Sequence, residues 1–384
     1  MTFSKAELER YSRHLIIPEF NLAGQERLKN GSVLVIGSGG LGSPLLLYLA
    51  AAGVGRIGIV DYDVVDDTNL QRQVLFTTAD VGTPKAVAAA KRLRALNPHI
   101  RVEVHNTLFT RENARELVRD YDVVADGTDN FPTRYLVNDA CVLEGKVNVY
   151  ASIYRFEGQC SVFNAPVEGG EKGPNYRDLF PAPPPPGLVP SCAEGGVIGV
   201  LPGILGSLQA LEVIKVLSGV GEPLVGRLFL FDATTFTTRT VKLRKHPGNP
   251  LTGDQPTQTD LIHYEEFCGL TAATPSEPAV RSISPEALHR WQTEGRDHVV
   301  IDVREPYEYG IAHLGGELIP LDSVAESTDR IPRDRPVVVH CRSGVRSARA
   351  IRLLESEHGY TNLHNLEGGI LAWQAAVAPE LARY

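Results

Sequence analysis

Three glycines and one acidic residue have the types and spacing of a phosphate-binding site. Gly37, Gly39 and Gly42 follow the pattern G-x-G-x-x-G, directly after the apolar stretch 32–36. Asp61 stands at the end of the next apolar stretch, roughly 20 residues further on. Such glycines let backbone N–H groups approach phosphate at the positive end of a helix, and the acid accepts hydrogen bonds from ribose hydroxyls. The pattern therefore predicts a nucleotide site on a strand–helix–strand unit.

Cationic residues near this unit favour a triphosphate over a dinucleotide. A dinucleotide pyrophosphate can rest on the helix end alone, whereas a triphosphate needs Lys, Arg and a metal ion. Arg72 and Lys85 supply the cations, and Asp129 is a candidate ligand for Mg²⁺, which takes only one or two protein carboxylates. A nicotinamide dehydrogenase would leave these three residues without a role. Because the Walker motif is absent from the sequence, we interpret the site as one for attack at the α-phosphate, which is adenylation.

A second candidate site surrounds a cysteine in the last part of the chain. Cys341 follows the apolar stretch 337–339 and begins the segment C-R-S-G-V-R, with a predicted helix from Ser347. A loop of this length can direct backbone N–H groups at the sulfur, and Arg342 and Arg346 add positive charge. These features stabilise a thiolate or the persulfide anion made from it. Phosphatase loops of the type Cys-x5-Arg are larger and fit phosphate, so this tighter loop is sized for sulfur.

Cys192 is the other candidate nucleophile. It follows the stretch 166–190, which is rich in Gly and Pro, and it precedes a predicted helix whose N-terminus favours a thiolate. The sequence leaves open whether Cys192 has a covalent or a structural role. Cys141, Cys160 and Cys268 are predicted to be core residues. The five cysteines show no paired spacing, which is typical of reduced thiols in a cytoplasmic protein.

Length and charge limit the classes of protein to be considered. A chain of 384 residues is too long for one ordinary core, so we expect two domains. The net charge of -8 argues against general binding to nucleic acid or to an anionic membrane. The N-terminal segment 1–14 lacks the apolar stretch of a signal peptide, and the longest apolar run, 45–54, is too short to span a bilayer. We therefore expect a cytoplasmic protein that binds neither nucleic acid nor membrane.

The elements that position the candidate residues alternate between strands and helices. This alternation predicts an α/β fold with a doubly wound, mostly parallel Rossmann-like sheet, whose ligand lies at the carboxyl ends of the strands. After residue 154 the pattern predicts an antiparallel addition and a long apolar helix, 197–217, interrupted at Pro202 and Gly203. The predicted divisions are a first domain (1–245), a linker dense in Pro and polar residues (246–280) and a smaller α/β domain (281–384).

Six separated motifs between residues 7 and 270 resemble those of the MoeB/ThiF family of ubiquitin-activating-like enzymes. They are R-Y-S-R-H (10–14), V-I-G-S-G-G-L-G (35–42), V-D-Y-D-V-V-D-D-T-N-L-Q-R-Q (60–73), G-T-P-K (82–85), D-G-T-D-N (126–130) and P-P-P-P-G-L-V-P-S-C-A-E-G-G (183–196). The resemblance implies an enzyme that uses ATP to adenylate the C-terminal glycine of a small β-grasp, ubiquitin-like carrier protein ending in Gly-Gly. It also marks Cys192 as a place where a thioester or acyl-disulfide to the carrier could form.

The same resemblance assigns site residues and an assembly. Asp129 would hold Mg²⁺ with ATP, and Arg13 matches an arginine that the family supplies from the partner subunit, which implies a homodimer. The family commonly binds structural zinc through two C-x-x-C pairs, but the matching positions here, 175–178 and 249–252, contain neither Cys nor His, so no zinc is expected. The implied ATP site consists of Gly37, Gly39, Gly40, Gly42, Asp61, Thr68, Asn69, Leu70, Gln71, Arg72, Lys85, Asp129 and Asn130.

The segment 281–384 resembles a rhodanese domain, and the layout of the two halves is most similar to MoeZ-type proteins. The rhodanese resemblance rests on the Cys341 loop with Arg346, on I-D-V-R-E (301–305) and on N-L-E-G-G-I-x-A-W (365–373). It implies a persulfide on Cys341, loaded by a sulfur donor such as a cysteine desulfurase or thiosulfate. Attack of that persulfide on the adenylated carrier, followed by cleavage by a second thiol, would yield a thiocarboxylate for molybdopterin, thiamin, cysteine or tRNA thiolation pathways.

Two alternatives stay open. A carrier-independent adenylating enzyme of the same superfamily, acting on tRNA or a small molecule, would use ATP but would not need a rhodanese domain. A regulatory module with an inert rhodanese half would need neither Cys341 nor Arg346.

Overall fold

The computed structural model describes residues 3–184, 196–269 and 280–383. Cys192 lies outside the described residues. The chain divides into two compact units, Met1–Thr271 and Ala272–Tyr384.

The first unit alternates helices and strands over most of its length, as the sequence predicts. In chain order its elements are α1 (Lys5–Arg10), α2 (Ser12–Leu15), α3 (Asn21–Asn30), β1 (Ser32–Ile36), α4 (Gly42–Ala52), β2 (Arg56–Val60), α5 (Lys85–Leu96), β3 (Arg101–His105), α6 (Ala114–Arg119), β4 (Val123–Asp126), α7 (Phe131–Leu143), β5 (Val147–Tyr154), β6 (Glu157–Phe163), α8 (Tyr176–Leu179), α9 (Val200–Ser218), β7 (Arg227–Asp232), β8 (Thr237–Lys242) and α10 (Tyr264–Phe267).

One sheet organises this unit, with the strand order β3-β2-β1-β4-β5-β6-β7-β8 among the described residues. Strands β1 to β5 pair in parallel, and β5 to β8 continue the sheet as antiparallel neighbours. Strand β1 is buried throughout because alternate residues enter two cores, Val33 and Val35 on one face and Leu34 and Ile36 on the other. The structure confirms the predicted doubly wound, mostly parallel sheet with an antiparallel addition.

The long helix α9 corrects the predicted interruption at Pro202 and Gly203. It runs unbroken because it begins at Val200, so Pro202 lies in the first turn, where a missing N–H has no helical partner to lose. In the described part of the chain, α9 is long and apolar enough to cross a membrane by length and composition. It packs on α4 and on the strands β5 and β6, with Leu205 and Val213 fully buried, as a core helix does.

The predicted linker does not begin at residue 246. Residues 246–269 pack on the first unit, because Leu261, Tyr264 and Cys268 join the core that contains Tyr135. These apolar side chains form one short cluster within a segment that is otherwise dense in Pro, Thr and Asp. The tertiary contacts of these few residues therefore overcome a composition that is typical of a linker.

The second unit is a smaller α/β fold, as predicted. Its elements are β9 (Ser282–Ile283), α11 (Pro285–Thr293), β10 (Val299–Asp302), α12 (Pro306–Ile311), β11 (Glu317–Leu318), β12 (Val337–His340), α13 (Val345–His358), β13 (Leu363–Leu366) and α14 (Gly369–Ala376). Its described strands form a parallel sheet in the order β11-β10-β12-β13-β9. The central strand β12 is wholly buried and ends directly before Cys341.

Candidate active sites

The glycine loop after β1 forms the tight turn that the sequence predicts. Gly37 has a φ of 88°, a conformation that favours glycine. A Cβ on Gly42 would lie 2.1 Å from the carbonyl oxygen of Gly37, so no side chain fits there. This close approach brings the first turn of α4 onto the end of β1, where free N–H groups can face an anion.

Asp61 holds this turn in place. Its Oδ2 accepts hydrogen bonds from the backbone N–H of Ser38 at 2.8 Å and from the Ser38 hydroxyl at 2.7 Å. Its Oδ1 accepts from the backbone N–H of Asp63 at 3.0 Å. A carboxylate has about four lone-pair sites, so capacity for a ribose hydroxyl remains. That contact stays a prediction.

A pocket opens at the carboxyl ends of β1, β2 and β4, where the sequence predicts the ligand. Residues from all three strand ends and from α5 contribute to its wall. The predicted residues that line it are Gly37, Gly39, Gly40, Asp61, Arg72, Lys85, Asp129 and Asn130.

The segment 68–71 supports the pocket from behind and does not line it. The backbone N–H groups of Arg72 and Gln73 both donate to the Asn69 carbonyl, at 3.1 and 2.9 Å. The Thr68 carbonyl accepts from Arg72 Nη1 at 3.2 Å. The carbonyls of Thr68 and Asn69 thus hold Arg72, whereas Leu70 and Gln71 make no described hydrogen bond with it.

The pocket carries three cationic side chains with different environments. Lys85, the first residue of α5, is nearly buried, and its Nζ lies 3.0 Å from Asp63 Oδ2. Arg134 is buried on α7 and donates from Nη2 to the Thr128 carbonyl at 3.2 Å. Together with Arg72, these residues place three cationic groups in the wall, beside the carboxylates of Asp61, Asp63 and Asp129, where they can contact a polyphosphate.

Sequence reasoning missed Gln73, Asp63 and Arg134. Gln73 is 4% exposed and lines the pocket, and its Oε1 has no hydrogen-bond partner among the described residues. Its position directly after Arg72 was the available signal. Arg134 gave none, because a cation in the first turn of a helix is not distinguishable by sequence from a surface residue.

Arg13 is not part of this pocket within its own chain. It lies on the short helix α2, where its side chain is exposed. It is absent from the pocket wall formed by the described residues of the same chain.

The four positions where the resemblance places zinc ligands meet in space as a hydrogen-bonded cluster. Asn249 Nδ2 donates to Asp178 Oδ1 at 2.7 Å and lies 3.3 Å from Asn175 Oδ1. Asn175 Nδ2 donates to Thr252 Oγ1 at 2.9 Å. Asn175 and Asn249 are each 1% exposed, so their amides need hydrogen-bond partners inside the protein. The bonds that they form join α8 to the turn at 249–252.

The second site is a cup around Cys341, formed by the loop between β12 and α13. Cys341 is 1% exposed, and its Sγ accepts from the backbone N–H of Gly344 at 3.1 Å. The Ser347 hydroxyl lies 3.4 Å from the same sulfur. Gly344 has a φ of 93°, which lets the loop turn its N–H inward. The cup predicted from the loop length is therefore present.

The charged residues near the cup are arranged as pairs. Arg346 is bound by Glu308 through two contacts of 2.7 Å. Asp302 and Arg304 are fully buried and bound to each other, and Arg304 also donates to the Ala312 carbonyl at 2.8 Å. Asp302 and Arg304 thus hold each other at the end of β10, and Glu308 was not predicted from the sequence.

His340 lies directly behind the cup and is fully buried. Burial lowers its pKa to about 4, although Asp302, with Oδ2 3.6 Å from His340 Nε2, opposes the shift. The unfolded chain binds this proton near the ordinary value of about 6.5. Between these pH values the unfolded state therefore takes up more protons than the folded state, and the free energy of unfolding falls as the pH falls.

We expect the second unit to lose about 3 kcal/mol of stability from His340 as the pH falls from 6.5 to 4. The two tryptophans of the chain, Trp291 and Trp373, both lie in this unit, so denaturant titrations followed by tryptophan fluorescence report on it. His340→Gln should flatten the pH dependence of its unfolding free energy across this window. Parallel curves for the wild type and the variant would show that His340 carries no such linkage.

Comparison with known proteins assigns a family to each part of the chain. A family model described as "ThiF family" matches residues 11–251, and one described as "Rhodanese-like domain" matches residues 284–376. The probable adenylyltransferase/sulfurtransferase MoeZ of Mycobacterium tuberculosis is 50% identical over 385 residues, which cover 99% of this chain and 96% of that protein. The sulfur carrier protein adenylyltransferase of Thermus thermophilus is 58% identical over 270 residues, which cover 70% of this chain and 100% of that protein.

A more distant relative and a solved structure extend the comparison. The adenylyltransferase and sulfurtransferase MOCS3 of Anopheles gambiae is 43% identical over 397 residues, covering 98% of this chain and 89% of that protein. A crystal structure of E. coli MccB matches with a TM-score of 0.57 and 22% identity, over 68% of this chain and 76% of that chain, which shows a shared fold. On the family matches and on the relatives that span nearly its whole length, this chain belongs to the ThiF family and carries a C-terminal rhodanese-like domain.

Proposed function

We propose that this enzyme adenylates the C-terminal glycine of a small ubiquitin-like sulfur-carrier protein and then transfers sulfur to it from a persulfide on Cys341. The observation that carries the proposal is the presence, in one chain, of a cation-lined pocket on a glycine loop and a cysteine cup. A relative named adenylyltransferase/sulfurtransferase matches along 99% of the chain, which supports both halves. The product would be a carrier thiocarboxylate.

In the first half-reaction the pocket would bind ATP. The glycine loop offers backbone N–H groups to phosphate, and Arg72 and Lys85 offset the negative charge that develops when pyrophosphate leaves. Asp129 is exposed on the pocket wall beside Asn130, which fits Mg²⁺, an ion that keeps most of its waters and binds few protein carboxylates. When bound, Mg²⁺ would supply further positive charge against the triphosphate.

In the second half-reaction the carbonyl carbon of the adenylated glycine would be attacked by the terminal sulfur of the Cys341 persulfide. The C–O bond to AMP breaks, AMP leaves with its electron pair, and an acyl-disulfide joins the carrier to Cys341. A second thiol then attacks the Cys341 sulfur, which releases the thiocarboxylate and leaves a disulfide on Cys341. We propose Cys192 as that thiol.

We also propose that the chain acts as a homodimer in the cytoplasm. The described cysteines Cys141, Cys160, Cys268 and Cys341 are free, which is typical of a reducing compartment. The net charge of -8 gives no support for nucleic acid or anionic membrane as a partner. The exposed Arg13, remote from its own pocket, fits a residue that serves the pocket of a second copy.

Mixing two inactive variants tests the role of Arg13. Arg13→Ala and Lys85→Met each remove one residue from the site, but a heterodimer of the two has one intact pocket. We expect the mixture to recover about a quarter of the wild-type pyrophosphate exchange after subunit exchange, because half of the dimers are mixed and each has one working site of two. No recovery, with mixed dimers verified by differential tags, would contradict a contribution from the partner subunit.

We propose that the first unit needs no structural zinc, because amide and hydroxyl groups occupy the four corresponding positions. Exhaustive dialysis against a chelator, followed by restoration of Mg²⁺, should leave the exchange activity and the thermal unfolding midpoint unchanged. Stoichiometric zinc in the purified protein, or a fall of the midpoint on its removal, would contradict this.

The test of the proposed function is ATP–pyrophosphate exchange with and without a purified carrier protein ending in Gly-Gly. We expect exchange only with the intact carrier, and none with a carrier that lacks its last glycine. Exchange that ignores the carrier would favour a carrier-independent adenylating enzyme. The absence of exchange under every condition would favour a regulatory module.

A further inference from the structure

The guanidinium of Arg346 is held on one side by a nearly buried carboxylate. Its Nη1 and Nη2 each lie 2.7 Å from one oxygen of Glu308, whose side chain is 7% exposed. Glu308 stands in the first turn of α12, and its Oε2 also accepts from the backbone N–H of Glu305 at 3.1 Å. The hydrogen bonds to Glu308 raise the pKa of Arg346, so the arginine stays charged while its partner cancels that charge.

The Arg346–Glu308 pair lowers the positive charge that the cup presents to a sulfur donor. Among the described contacts, Sγ accepts from the neutral backbone N–H of Gly344, and the neutral hydroxyl of Ser347, which also lies 2.6 Å from Asn365 Oδ1, approaches it at 3.4 Å. Arg346 is a natural counter-ion for an anionic donor, and the Glu308 carboxylate offsets its charge while occupying two of its five N–H donors. A dianion such as thiosulfate gains little attraction from such a pair and is repelled by the carboxylate, whereas a persulfide carries one negative charge or none.

We propose that Glu308 is a specificity-determining residue that directs the cup toward persulfide donors and away from thiosulfate. The inference rests on the proposed function, in which Cys341 carries the sulfur. The Cys341 thiolate attacks the outer sulfur of R–S–SH, the donor S–S bond breaks, and R–S⁻ leaves with the electron pair, giving Cys341–S–SH. With thiosulfate the same attack releases sulfite, so Glu308 selects between two leaving groups of different charge.

Glu308→Gln tests this inference in the full-length chain. The amide oxygen can still accept from Glu305 and from Arg346, so the first turn of α12 keeps its capping partner while one negative charge is lost. We expect kcat/KM for thiosulfate to rise about tenfold and kcat/KM for N-acetylcysteamine persulfide, whose R group is uncharged, to change less than about twofold. The matched control is Glu317→Gln, which removes the negative charge from the 2.7 Å pair with Arg330 in the same unit and should leave the ratio of the two constants unchanged.

A second variant, Arg346→Met, separates the effect of the Glu308 charge from that of the contact between Arg346 and Glu308. Because Arg346 offsets part of the Glu308 charge, Glu308→Gln should shift the donor ratio at least as far in an Arg346→Met background. An unchanged ratio in the Glu308→Gln single variant, or an equal change with both donors, overturns the inference. Failure of the wild-type chain to accept sulfur from either donor would instead overturn the role of Cys341 in the proposed function.

Discussion

Replacing Cys341 with serine is expected to abolish sulfur transfer and to leave carrier-dependent ATP–pyrophosphate exchange unchanged. Serine fits the cup with little disturbance, because the sulfur is 1% exposed and accepts from groups that a hydroxyl oxygen also satisfies. A hydroxyl cannot form the persulfide, so we expect a loss on the order of a thousandfold or more in thiocarboxylate formation. Both activities are measurable on one preparation, by exchange of labelled pyrophosphate and by mass spectrometry of the carrier.

Ser343→Ala is the matched control for this substitution. Ser343 is exposed in the same loop and makes no described contact with the sulfur, so both activities should be retained. Loss of pyrophosphate exchange in Cys341→Ser would contradict the assignment of adenylation to the first unit and of sulfur transfer to the second.

Replacing Lys85 with methionine is expected to produce the opposite pattern. The Lys85 Nζ is held at the pocket wall by Asp63, and its side chain is only 8% exposed. Methionine keeps most of the buried volume but removes the charge, so we expect carrier-dependent exchange to fall on the order of a hundredfold or more. Loading of Cys341 with sulfur, measured by alkylation of the persulfide, should stay at the wild-type level.

Lys91→Met provides the comparison for Lys85→Met. Lys91 lies on the same helix, α5, but its side chain is exposed and does not line the pocket. Exchange should therefore be close to wild type in Lys91→Met. Equal losses in the two variants would mean that the helix, rather than a cation at the pocket, was disturbed.

The parts of the fold that were predicted from sequence depend on local patterns. Strand β1, the glycine turn and helix α4 follow one another within a short segment, so periodicity and glycine spacing predict them and place Gly37 and Asp61 at one edge of the sheet. The Cys341 cup was predictable for the same reason. Its nucleophile, glycine and arginine all lie in one loop.

The parts that were not predicted depend on contacts between distant segments. Glu308 meets Arg346 across 38 positions of sequence, and the hydroxyl of Tyr264 donates to Asp139 across 125 positions. The first contact pairs the charge of Arg346 with a carboxylate, and the second holds a segment whose composition predicts a linker. The amides of Asn175 and Asn249 show the same limit. The sequence shows that Cys and His are absent from these positions, but it does not show the hydrogen bonds that the amides form.

The most direct test of the account is the intact mass of a Gly-Gly carrier after incubation with the full-length chain, ATP, Mg²⁺, a persulfide donor and a reductant. We predict a mass increase that corresponds to the replacement of one oxygen by sulfur, and no increase when ATP is omitted or when Cys341 is serine. A carrier that stays unmodified, or stops at the adenylate although Cys341 is loaded with sulfur, would contradict the claim that one chain performs both steps.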